Sequence, residues 1–90
     1  MQSVLFIKEA ATLIRELKDF KLAKTTGILD YSGEQSQGTL LQKRVGVLLG
    51  SLQNPTLPSA YNLRDAAIDA GCSVDPAVMT KLRQYEFLKD

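Results

Sequence analysis

Ninety residues, 44% hydrophobic and 23% charged, describe one ordinary globular domain over 1–90 and not a disordered chain. The formal net charge is +1. Basic and acidic side chains are dealt evenly along the chain, which argues against a strongly electrostatic partner such as bare nucleic acid or an anionic membrane.

The chain has no histidine, so the commonest general base and the commonest metal ligand are both missing. Its single cysteine, Cys72, excludes an internal disulfide framework and fits a reducing compartment. The opening MQSVLFIKEAATLIRELKD does not have the pattern of a secretory signal, because Lys8 and Glu9 interrupt its apolar run. No stretch approaches the ~18 consecutive apolar residues of a membrane span. The expectation is a cytoplasmic protein.

The first helix is predicted over about 4–24. Phe6, Ala10, Leu13, Leu17 and Phe20 recur at helical spacing with Ile7 and Ile14 beside them, and Ser3 can cap the start. Lys18, Lys21 and Lys24 suit the negative end of the helix dipole, and Gly27 can terminate it. Residues 25–38, TTGILDYSGEQSQG, then read as a loop rich in Gly, Ser, Thr and Gln. Such a length is unusual between helices of a small domain and makes the loop a candidate for function.

The second helix is predicted over 39–53, from a capping-box pattern at Thr39, with Ser32 as an alternative start. Leu41, Val45, Leu48, Leu49 and Leu52 form a continuous stripe, which Leu40 and Val47 widen. A helix so apolar is expected at the centre of the bundle. Gly46 and Gly50 lie on one face, where a neighbour could come close. Asn54 precedes Pro55, and NPTLP makes a rigid turn. A third helix over 59–70, capped by Ser59 or Asn62, ends at Gly71. A fourth over 75–87 opens with Asp75 as cap and Pro76 in the first turn. The fold class is therefore all-α, four helices packed around the second.

Chemistry is sparse. Asp65 and Asp69 are four apart on one helix, a spacing that can bind a cation or share a proton but more often marks a solvated face. Cys72 has no histidine to activate it and reads as a buried structural thiol. No metal, cofactor or catalytic group is assigned. Residues 63–82 superficially resemble the helix-turn-helix of bacterial repressors, with Ala67 and Gly71 at the small-residue and turn positions. The second half departs from that pattern: Ala77 and Thr80 fall where apolar residues belong, and Asp75 sits at the end that would enter the groove. Tyr31, Tyr61, Tyr85 and Phe87 fall in loops or near helix ends, where some are expected to be partly exposed and each could equally cover the small core.

The sequence thus favours a non-catalytic protein–protein interaction module: a small regulatory subunit, adaptor or inhibitor. Its expected contact surface is Ile28, Leu29, Tyr31 and Glu34 of the 25–38 loop, together with any apolar helix face that the small core leaves uncovered. The partner is another protein, or a second copy in a homodimer. The alternative is a DNA-binding regulator using residues 59–87, with Lys43, Arg44, Arg64, Lys81, Arg83 and Gln84 as contacts.

Overall fold

The computed structural model describes residues 2–89 and places four α-helices in chain order: α1 Gln2–Thr25, α2 Tyr31–Gly50, α3 Pro58–Asp69 and α4 Pro76–Tyr85. A short 3-10 turn, Glu86–Leu88, follows α4. No strand occurs among the described residues. At 1.5 Å per residue, the 24 residues of α1 give about 36 Å. That accounts for the 40 Å long axis of a molecule whose other extents are 24 and 18 Å.

The heptad-like stripe of α1 closes the core as its spacing predicts. Phe6, Ala10, Leu13, Leu17 and Phe20 are all buried. So are Leu41, Val45, Leu48, Leu49 and Leu52 from the second helix and its C-terminal turn. Leu17, Leu63 and Leu82 are fully enclosed, and each contributes about 1.5–3 kcal/mol by leaving water.

The hub, however, is α1 and not α2. Both α2 and α3 pack chiefly on α1 and touch each other less. The reason lies in side-chain size. Ala10 of α1 is buried with Ala60, Ala67 and Ala70 of the third helix and its C-cap, so these two backbones can approach closely. Leu40 and Val47, expected to be buried on a central helix, are 58% and 68% exposed. Gly46 and Gly50 meet nothing within 4 Å of where a Cβ would stand, so no helix is seated against them.

The 25–38 segment is mostly not a loop. Asp30 caps α2, its side chain accepting a 2.7 Å hydrogen bond from the Gly33 amide, and the helix runs on through the polar tract. Gly33, Gly38 and two serines make this a weak helix by propensity. Tertiary contact supports it: a Cβ at Gly38 would stand 3.3 Å from Phe20 Cζ, so the missing side chain lets that ring lie against the helix. Neither Ser32 nor Thr39 is the cap. Ser3 lies inside the first turn of α1 and does not cap it. The third helix starts at Pro58, earlier than Ser59 or Asn62, with Leu57 at the cap position and no side-chain cap bond. Proline in the first turn lacks an N–H that would have gone unpaired anyway.

Both α1 and α3 end on a glycine in the left-handed region, Gly27 at φ 73° and Gly71 at φ 84°. In each case the amide of the residue after that glycine reaches back across the turn: Ile28 to the Ala23 carbonyl at 3.0 Å, and Cys72 to the Ala67 carbonyl at 2.9 Å. The two ends lie side by side, because Lys21 pairs with Asp69 at 2.6 Å and Lys24 donates to the Ala70 carbonyl. Hence α1 and α3 run parallel, while the pairing of Glu16 with Arg44 and of Phe20 with Gly38 shows α2 running antiparallel to α1.

Tyr61 holds the far end. Of the aromatics near helix ends it is the one that is fully buried. Its hydroxyl sits 2.6 Å from the Pro55 carbonyl and 2.9 Å from the Leu82 carbonyl, joining the 53–57 turn, α3 and α4. With one hydrogen to donate, it serves the two acceptors between them. Burial pushes its ionisation above the ordinary value, the Glu86 charge adds to this, and Arg64 opposes it.

Gly27→Ala and Gly71→Ala should each lose about 1–2 kcal/mol, since both require a left-handed backbone. Gly46→Ala, in open space inside a helix, should gain about 0.5–1 kcal/mol. Thermal melts check the contrast, and a stabilising alanine at Gly27 or Gly71 contradicts the backbone assignment. Tyr61→Phe should cost about 1–2 kcal/mol by denaturant titration, because carbonyls lose their donor; an unchanged midpoint would remove the hydroxyl from its linking role.

Candidate interaction groove

Two helices packed side by side leave a furrow on each side of their contact line. On one side of α1–α2, the third helix fills it. On the other side it is open. Its floor is Phe6, Leu13 and Leu48, all buried core residues. Its mouth carries Leu5 from α1 and Leu40 and Val47 from α2, exposed at 64%, 58% and 68%. Thr12 and Ser51, small residues on opposite walls, keep it wide. The hollow near Leu5 and the one at Val47 share Glu9, Leu48 and Ser51, so they form one channel.

Charges sit along the rim. Arg44 makes a two-pronged bond to Glu16, at 2.8 and 2.7 Å, and closes the channel at one end. This hydrogen bond holds the Glu16 carboxyl below the usual range and raises Arg44. Both side chains are 42% exposed, so solvent limits the pair to well under about 1 kcal/mol. Lys8 on one wall and Lys43 on the other have no ion-pair partner among the described residues.

The residues expected to form a contact loop are dispersed. Ile28 is 76% exposed just past the end of α1. Leu29 turns inward and packs against the core. Tyr31 is 75% exposed in the first turn of α2, its hydroxyl accepting from Gln35 at 2.8 Å. Glu34 lies with Tyr31 beside a shallow hollow that also includes Lys24 and Cys72. One apolar member thus serves the core, so the four do not make a continuous apolar surface.

The six candidate DNA contacts are spread over three helices. Lys43 and Arg44 line the groove on α2, and Arg44 is committed to Glu16. Arg64 on α3 is committed twice, to Asp65 at 3.0 Å and to Glu86 at 3.2 Å, with only 13% of its side chain exposed. Lys81, Arg83 and Gln84 are exposed on α4. The start of α4 carries Asp75, whose side chain accepts from the Ala77 amide at 2.7 Å. A carboxylate there opposes a phosphate.

Asp65 and Asp69 are each tied to a cation, Arg64 and Lys21. Among the described residues no group of three or more acidic, cysteine or histidine side chains gathers as a metal site. Cys72 is 6% exposed. Burial pushes its thiol up, and nearby Lys24 opposes this only in part. What the sequence reading missed is Leu5, Leu40 and Val47, since an apolar residue on a wide stripe looks the same whether a neighbour covers it or not.

Glu16 and Glu86 both release their protons more readily in the folded state than at the ordinary value of 4.5, each chiefly through an arginine hydrogen bond. Their contribution is therefore fully present above about pH 4.5 and is lost as pH falls through the lower folded values. A Glu16→Gln/Glu86→Gln variant should lose less stability than the parent between neutral and acid pH, measured by denaturant midpoints. An equal loss would assign the acid sensitivity to other carboxylates. Native Cys72 should react slowly with a thiol reagent at neutral pH and rapidly in denaturant; fast native alkylation would contradict its burial. Comparison with protein-family models, with curated proteins and with solved structures returned no match to this chain.

Proposed function

We propose that this chain is a non-catalytic protein-interaction module, a small regulatory subunit, adaptor or inhibitor, and that it acts through the open α1–α2 groove. One observation carries the reading: Leu5, Leu40 and Val47 stand exposed around a furrow floored by core leucines. Exposed apolar side chains are individually ordinary, but three of them around one concavity mark a surface that gains by being covered. The apolar mouth with a charged rim is the usual anatomy of a non-obligate interface. The groove replaces the 25–38 segment as the contact surface, because that segment is largely occupied in capping and building α2.

A photo-crosslinking residue placed at Val47 in host cells should give discrete adducts with another protein chain. The same probe at Arg15, which is exposed and lines none of the hollows, should give none. Equal labelling at both positions, or none at Val47, would overturn the reading.

A further inference from the structure

In a bundle, the furrow between two antiparallel helices is the seat of a further helix. Here α4 does not take it. Tyr61, through Leu82, and Arg64, through Glu86, hold α4 and its following turn to α3. The open channel runs along α1 from Leu5 to Glu16, eleven residue steps and about 16 Å, or roughly three helical turns. Its apolar groups, Leu5, Val47 and Leu40, accept an apolar stripe. Its rim offers Lys8 and Lys43 on opposite walls, with no anionic partner among the described residues to satisfy them. Of the groove's acids, Glu16 is already bound to Arg44 and Glu9 stands on the α1 wall alone.

Resting on the interaction role above, we propose that the groove binds a short amphipathic helix of a partner protein. That helix presents an apolar stripe at i, i+3 or i+4, and i+7, flanked on both sides by Asp or Glu that meet Lys8 and Lys43. A helix with acidic flanks meets both lysines favourably, and the groove's shape supplies the rest.

The test is a display selection with the purified chain as bait, using helix-biased peptides of about eleven residues, the length the channel spans. Recovered peptides should share the apolar stripe with acidic flanks. Val47→Asp, at a solvent-exposed position that leaves the core intact, should weaken them by more than tenfold while circular dichroism stays unchanged. Lys8→Glu/Lys43→Glu should weaken them by about tenfold, as two exposed ion pairs allow, and should itself select peptides with Lys or Arg flanks. Peptides that ignore Val47→Asp would sink the groove and the interaction reading together. Peptides that need Val47 but lack acidic flanks, or ignore the charge reversal, would overturn the acidic-helix assignment alone. A dimer by sedimentation that Val47→Asp dissociates would give the groove to a second copy and overturn it as well.

Discussion

The close approach of α1 and α3 is the constraint on which the other contacts rest. Ala10, Ala60, Ala67 and Ala70 are essentially without solvent contact. Alanine gives little apolar area, so these positions stabilise chiefly by what they permit. Leu13, Leu17 and Leu63 close around the resulting line. Replacing any of these alanines with a larger residue forces the helix pair apart, and overpacking of that kind typically costs about 1–3 kcal/mol. Once α1 and α3 form a pair, α2 has one side of α1 to cover. Its stripe does so, leaving Leu40 and Val47 beyond the edge.

Parallel packing has an electrostatic cost that the chain offsets locally. Parallel neighbours bring two negative helix ends together at the level of Gly27 and Gly71. Lys21 and Lys24 reach from α1 to the end of α3, one to Asp69 and one to the Ala70 carbonyl. Lys24 also lies over the Phe20 ring, 4.5 Å from its centre. These cations suit both ends at once. A sequence reading assigns such lysines to their own helix dipole, and their service to the neighbour needs the fold.

What the sequence made legible was the part governed by local rules. The α1 and α2 stripes follow from period, and Asp75-Pro76, Gly27 and Gly71 follow from cap chemistry. The start of α2 was hidden, because Asp30 competes with better-looking signals at Ser32 and Thr39, and the tract between has no apolar period. Its support is Phe20 against Gly38, a contact between distant parts of the chain. The place of Tyr61 stayed open for a similar reason: aromatic residues near helix ends are exposed only if no later segment folds over them, and here α4 does. The groove was illegible on the same ground. Whether Leu40 and Val47 are covered depends on where α4 lands, and that is decided by Tyr61, Arg64 and Glu86.

The attachment of α4 also sets an order of detachment. Leu82, the partly buried Val74 and Val78, a shared hydroxyl and an ion pair at the protein's edge connect residues 74–88 to the rest. The first three helices share nearly all the remaining buried apolar surface. Backbone amides in 78–88 therefore trade their hydrogens with solvent through a partial opening that leaves the remainder folded, well before those of α1 do so. The same opening exposes the inner side of α3 and releases the Tyr61 hydroxyl from Leu82, leaving it to the Pro55 carbonyl of the turn that borders the α1–α2 furrow.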